Sequence, residues 1–209
     1  MPRIILFLFL LTTLFFSCSE EETVYGCGDT QAINYDPEVN SFCNSCCEYL
    51  EIGSFYQGGI VFYLDSTNFH GLVVAMGDLP GEYQWGCYET DILGADLTTL
   101  HSGLQNSIDI INSCTDSLSA AFQTSLIQWE GYDDWYLPSK DELLEIYNSI
   151  GNGSEESHFF IESLDFENDY YWSSSEYSDK YTWYFHFENG YTYFNDKYET
   201  FKVRPIRNF

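Results

Sequence analysis

From Glu51 onward the apolar positions recur mostly with a period of two. Gly53–Asp65 reads as two short strands broken at Gly58-Gly59, and Gly71–Gly77 returns as the far arm of a hairpin. Asp78–Ser102 has no clear period and is rich in Gly, Asp and Thr, so it is expected to be a long structured loop. Leu104, Ile108 and Ile111 then mark a short helix leading to Cys114. Asp116 is placed to cap a second helix with apolar positions Leu118, Ala121, Phe122 and Leu126. The clearest element follows. Trp135, Tyr136 and Leu137 run extended into Pro138, which disfavours helix before it. Ser139 stands three residues ahead of Glu142, the reciprocal capping box that satisfies two orphan N–H groups. Leu143, Leu144, Tyr147 and Ile150 give the helix one apolar face, and Gly151 supplies a left-handed stop. Strand pattern then resumes over Tyr170–Glu176, Tyr181–Phe187, Tyr191–Phe194 and Thr200–Arg207. Asn189-Gly190 between the second and third of these is a strong hairpin signal. Strands, helices, then strands predict an α+β fold with a mainly antiparallel sheet and two or three short helices.

The charge changes the picture. There are 33 acids against 7 bases, a formal net charge of −26, and residues 18–139 contain no Lys or Arg at all. Such a surface repels nucleic acid and other polyanions. It suits cations, neutral sugars or plain solubility. Hydrophobic residues make up 44% and aromatics 19%, enough to build a core and biased towards strands.

Met1–Ser17 carries Arg3 and then Ile4–Phe16, almost all Ile, Leu and Phe. The run is too short to span a bilayer comfortably and ends in small residues, as the apolar part of an export leader does. Its close, Leu14-Phe15-Phe16-Ser17-Cys18, resembles a bacterial lipoprotein signal, which implies that Cys18 becomes the acylated first residue and anchors the chain to a membrane. Ser19-Glu20-Glu21-Glu22 resembles the acidic tag that sends some lipoproteins to the outer face of the outer membrane. The expected organisation is a signal peptide over 1–17, an acidic tether over 18–25, a Cys-rich module over 26–49 and a main domain over 50–209.

Six further cysteines, Cys27, Cys43, Cys46, Cys47, Cys87 and Cys114, form an even set in an exported chain and predict disulfides. The first four crowd into 21 residues that need staples to fold. Because Cys46 and Cys47 are adjacent, Cys27 is expected to take one of them and Cys43 the other. A Cys87–Cys114 bridge would pin the long loop to the first helix. Cys43-Asn44-Ser45-Cys46 also has the C-x-x-C spacing of redox and zinc sites, but no second ligand pair answers it. Asn34, Asp36, Glu38 and Asn40 alternate and would line oxygens along an extended chain. Asn34, Asp36 and Glu38 are therefore calcium candidates, although the spacing is not that of an EF-hand. No other cofactor is expected.

Gly26–Asn40 resembles a short Cys-bounded module, G-C-x-D-x-x-A-x-N-Y-x-P…C-x-Y, found near membrane anchors of bacterial surface proteins. Residues 52–209 resemble the Lcl C-terminal domain family. Four stretches carry this likeness: Trp85-Gly86-Cys87 with the Asp/Gly loop after it, Asp134-Trp135-Tyr136-Leu137-Pro138-Ser139-Lys140-Asp141-Glu142-Leu143, Tyr171-Trp172-Ser173-Ser174-Ser175-Glu176 and Val203-Arg204-Pro205-Ile206-Arg207. The same motifs are similar to those of C-type-lectin-like and formylglycine-generating-enzyme folds. The resemblance implies an extracellular module related to the tip of an adhesin that binds sulfated polysaccharide. No collagen repeat precedes it here, and the chain is strongly acidic. Only a local basic spot, drawn from Arg204, Arg207, Lys197 and Lys202, could hold a sulfated glycan.

Catalytic constellations are thin. His70, His101, His158 and His186 have no metal-ligand spacing. Ser173–Ser175 lie on a strand without a nucleophile elbow. Asp133 and Asp134 read as turn residues. A formylglycine-generating activity would need a copper-binding cysteine pair in the second half, and no cysteine follows Cys114. The expectation is a non-catalytic, surface-anchored adhesion module for a glycan or surface partner, with Trp172, Trp183 and Tyr184 offering rings and Glu176 and Arg204 polar contacts. A purely structural envelope component is the alternative, and a hydrolase is a more distant one.

Overall fold

The computed structural model describes residues 22–151, 153, 166 and 169–209. The expected leader over 1–17, the expected acylation site Cys18 and most of the segment between Gly151 and Ser157 lie outside the described residues. Among the described residues, no helix is long and apolar enough to cross a membrane.

The small module comes first. β1 (Tyr25–Gly26) pairs in parallel with β2 (Ser41–Phe42), and a 3-10 turn follows over Asn44–Cys46. Cys27 is bonded to Cys47, and two residues on from each cysteine the Tyr49 hydroxyl donates to Asp29 at 2.6 Å. The C-x-D…C-x-Y pattern is thus one covalent and one hydrogen-bonded clamp side by side. Cys43 and Cys46 are not bonded, contrary to expectation. Within their single turn the Cys46 thiol donates to the Cys43 carbonyl at 2.9 Å, which satisfies it in the reduced form. Two of the three calcium candidates make local bonds: the Asn34 side-chain oxygen accepts from the Glu48 amide and the Asp36 carboxylate from the Glu38 amide. Among the described residues no group of three or more His, Cys, Asp or Glu is arranged to hold a metal ion.

The main domain is α+β and mostly antiparallel. β3 (Phe55–Tyr56), β4 (Gly59–Leu64) and β5 (Gly71–Val74) form the predicted meander. After β6 (Tyr83–Gln84) come the helices α1 (Gly103–Ser113), α2 (Ala120–Thr124) and α3 (Lys140–Ser149). The chain ends in β7 (Tyr170–Glu176), β8 (Tyr181–His186), β9 (Tyr191–Asp196), β10 (Thr200–Phe201) and β11 (Ile206–Asn208). The strand predicted over Thr200–Arg207 is therefore split. Its first part pairs with β6 and its last part with β5, and Pro205, which has no N–H to donate, sits between. The sheets are ordered β11-β5-β4-β3 and β7-β8-β9.

β4 and β5 are buried on both faces, so they read as apolar runs rather than alternations. One face meets α3 and β7–β8 through Phe62, Leu72, Ile146, Tyr171 and Phe185, and the other packs Val61, Val73 and Ala75 against Trp135. A second cluster joins Trp85, Ile110, Cys114, Leu137, Trp172 and Val203. α1 departs from its predicted face. Leu104 and Ile108 are 39% and 41% exposed, while Gly103, Asn106, Ser107 and Ile110 point inward. The inward polar groups make interior bonds: Asn106 donates to the Leu97 carbonyl at 2.6 Å, although its side-chain oxygen has no partner among the described residues, and Ser107 both donates to and accepts from Leu137. Likewise α2 starts after Ser119, and Asp116 instead makes a turn by accepting from the Leu118 amide.

The Cys87–Cys114 bridge forms as expected, between the long loop and the end of α1. Gly86 makes the approach possible: it has φ +100°, and an added Cβ would lie 2.5 Å from the Ser119 side chain. Closing a loop of this length stabilises by about 3 kcal/mol. We expect Cys87→Ser/Cys114→Ser to lower the urea-unfolding free energy by that amount while leaving far-ultraviolet circular dichroism unchanged.

Candidate functional site

The register of β7–β9 sorts the aromatic side chains into two groups. Trp183 is opposite Phe194, and Tyr181 lies two residues before Trp183, so all three project from one face. Tyr177 at the β7–β8 turn joins them, because the Tyr177 and Ser178 amides both donate to the Tyr181 carbonyl. The Tyr177 and Phe194 rings stack with centroids 4.5 Å apart, and Trp183 stands edge-on to Tyr177 at 5.1 Å. Tyr177 is 52% and Phe194 48% exposed, so this cluster faces solvent. Lys140, at the first turn of α3, places its ammonium 4.9 Å from the Trp183 ring centre. A charge over a flat aromatic face, rimmed by tyrosine hydroxyls, combines stacking with hydrogen-bonding capacity.

The opposite face carries Tyr184, stacked on its cross-strand partner Tyr193 at 5.7 Å, with Tyr170 5.4 Å away. This group runs inward: Phe201 lies 4.8 Å from Tyr184 and 4.2 Å from Trp172. Burial, and then the neighbouring Tyr170 and Tyr193, push the Tyr184 hydroxyl above its ordinary pKa. Trp183 and Tyr184, expected to act together, therefore lie on opposite faces of one strand.

Three of the expected contact residues are interior. Trp172 is fully buried and donates its ring N–H to the Tyr83 carbonyl at 2.7 Å. Glu176 accepts from the Ile92 amide at 2.9 Å and pairs with Lys197. Arg204 is 1% exposed, with its guanidinium against Asp78 and over the Phe166 ring. The strand that carries Trp172 and Glu176 is instead a buried polar seam. Ser173 donates to the Trp183 carbonyl and Ser175 to the Leu97 carbonyl, each at 2.7 Å, and the Trp85 ring N–H reaches the Ser173 carbonyl at 2.9 Å. Hydroxyls so engaged are positioned for structure.

The expected basic spot is likewise neutralised. Lys197 faces Glu176, Arg204 and Lys202 face Asp78, and Arg207 makes a two-pronged pair with Asp134. Lys140 and Lys180 lie beside Asp141 and Glu89. Every basic side chain among the described residues thus has a carboxylate within 4 Å. An open depression of about 370 Å³, lined by Gly58, Met76, Asp78, Trp129 and Glu130, has two acids and no base in its wall. The sequence pointed to Trp183 but not to Tyr177, Phe194 or Lys140, whose meeting depends on strand register and on where α3 begins.

A search of curated proteins finds no match. Among solved structures, the chain is similar to a fimbrial protein from Bacteroides ovatus, with a TM-score of 0.52 and 15% identity. That match covers 83% of this chain and 50% of the other, so the chain spans half the length of that fimbrial protein. The likeness is one of fold. The model of the Lcl C-terminal domain matches residues 84–207, more than half of the sequence. Its bounds begin one residue before Trp85, end at Arg207 and take in both the capped start of α3 and the exposed ring cluster, and by that match the chain belongs to the Lcl C-terminal domain family.

Proposed function

We propose that this protein is an exported, non-catalytic adhesion module, anchored through an acylated Cys18 at the cell surface. Its ligand is a neutral glycan or the sugar-bearing surface of a partner, held at Tyr177, Trp183 and Phe194. The observation that carries this reading is the solvent-facing ring cluster with Lys140 over Trp183, in a chain whose Lys and Arg side chains among the described residues all stand beside carboxylates. Stacking on aromatic faces does not require ligand charge, whereas a sulfated chain would meet a net charge of −26 with no unneutralised basic patch among the described residues. The two disulfides and the fimbrial fold likeness support an oxidising, extracellular setting. The non-catalytic reading is supported by Ser173, Ser175, Glu176 and Asp134, each of which is committed to a structural partner.

Glycan-array binding tests the proposal. Neutral oligosaccharides are expected to bind, and Trp183→Ala or Phe194→Ala to weaken the best binder roughly tenfold or more. Running the array with calcium and with chelator decides whether a cation takes part. Silence on neutral glycans in both conditions would leave the structural-component alternative. Palmitate labelling that persists in Cys18→Ala would overturn the anchor.

A further inference from the structure

The Cys43–Cys46 pair is the one chemically reactive feature of the small module that the adhesion reading does not use. The Cys46 amide donates to the Cys43 carbonyl at 3.4 Å across one 3-10 turn. Side chains three residues apart in such a turn eclipse one another at about 6 Å, inside the roughly 4.4–6.8 Å Cα span that a disulfide needs. Both thiols are partly exposed and border an open depression of about 570 Å³, whose wall includes Tyr25, Asn34, Asp36 and Glu48. Contact with the Cys46 thiol and then the Ser45 hydroxyl holds the Cys43 thiol below its ordinary pKa, while the same contact raises that of Cys46. One sulfur is thus set to be the thiolate and the other to follow. The Cys27–Cys47 bond next door already closes the module, so bonding 43 to 46 leaves its outline intact.

We propose that Cys43 and Cys46 form a thiol–disulfide exchange site for small extracellular disulfides, separate from the two structural bridges. The Cys43 thiolate attacks one sulfur of the incoming disulfide, which breaks and releases its other half as a thiolate. The Cys46 thiol then loses its proton to solvent and attacks the Cys43 sulfur of the mixed disulfide, expelling the second half. The protein loses two protons and two electrons; the small disulfide is reduced to two thiols, and the cycle runs backwards in excess thiol. Asp36 and Glu48 at the rim favour a cationic disulfide, so cystamine is the suitable probe.

The test uses the full chain, treated with cystamine, alkylated, cleaved with chymotrypsin and mapped by mass. Cys43 and Cys46 are expected to become joined to each other, and mild dithiothreitol to reopen that bond while Cys27–Cys47 and Cys87–Cys114 stay closed. Cys46→Ser should trap the cystamine half on Cys43, and Cys43→Ser should react with cystamine at least tenfold more slowly. Full alkylation of both thiols after cystamine treatment would overturn the proposal. So would a Cys43 bond to a cysteine other than Cys46, or reopening only together with the two other bridges.

Discussion

Replacing Lys197 with methionine is expected to cost about 3–5 kcal/mol of stability, because it strands the Glu176 carboxylate in the interior. The Lys197 side chain is 0% exposed and that of Glu176 3%. The ammonium donates to the Thr90 carbonyl at 2.7 Å as well as to Glu176, and sits 4.6 Å from the Trp85 ring centre. Burial pushes the Glu176 carboxyl up and the Lys197 amine down, and each partner draws the other back towards its charged form. The carboxylate also accepts from the Ile92 amide, so it ties β7 to the long loop as well as to the end of β9. Methionine keeps most of the apolar stem and removes the ammonium, and with it the donor to the Thr90 carbonyl. Urea unfolding of Lys197→Met should show the loss, which corresponds to a fall in melting temperature of roughly 10 °C for a chain of this size. Adding Glu176→Gln should recover part of it, since the amide oxygen still accepts from Ile92 and no longer needs a cation. A single mutant within about 1 kcal/mol of the parent would show that the buried charge is compensated elsewhere.

That pair explains why some of the fold was legible in the sequence and the rest was not. Local rules carried far. Ser139 and Glu142 start α3, Asn189-Gly190 turns β8 into β9 with Gly190 at φ +72°, and the cysteine count led to Cys87–Cys114. Each depends on residues close in sequence or on a strong covalent constraint. Which of two similar side chains is buried depends on partners far away. Trp172 and Trp183 both lie on aromatic strands, yet Trp172 is covered by Phe201 and Tyr83, whereas Trp183 stands beside Lys140 at the start of α3. A register shift between Trp172 and Glu176 further breaks the alternation that would have separated inward from outward. The same limit hid the partners of Arg204 and Arg207, found 126 and 73 residues away. It also set the face of α1, where Asn106 and Ser107, bonded to Leu97 and Leu137, face inward in place of a leucine and an isoleucine.

Glu142 gives a prediction in which two opposing effects can be separated by pH. Its carboxylate completes the capping box by accepting from the Ser139 amide at 2.6 Å, and also accepts from the His101 amide at 2.9 Å and from Gly103. Gly103 lets the helices meet here, since an added Cβ would fall 2.3 Å from the Glu142 carboxylate. Three backbone donors favour the ionised form, yet Glu142 is 0% exposed, and burial outweighs them, raising its pKa to about 7. The folded state therefore holds this proton more tightly than the unfolded chain, whose carboxyl titrates near 4.5. Stability from this group is greatest below the unfolded value and falls as pH rises between the two, by about 3 kcal/mol in all. Glu142→Gln cannot titrate and has one oxygen for the donors, so one buried N–H loses its acceptor, at about 1–3 kcal/mol. The variant should be the less stable of the two in acid, and the gap should narrow, then close or reverse, as pH rises from about 4.5 to about 7, and stay level above that. Taking the difference between parent and variant at each pH cancels the other carboxyls. A difference that stays flat, or that widens with pH, would mean that the three backbone donors win over burial and keep Glu142 ionised well below neutrality.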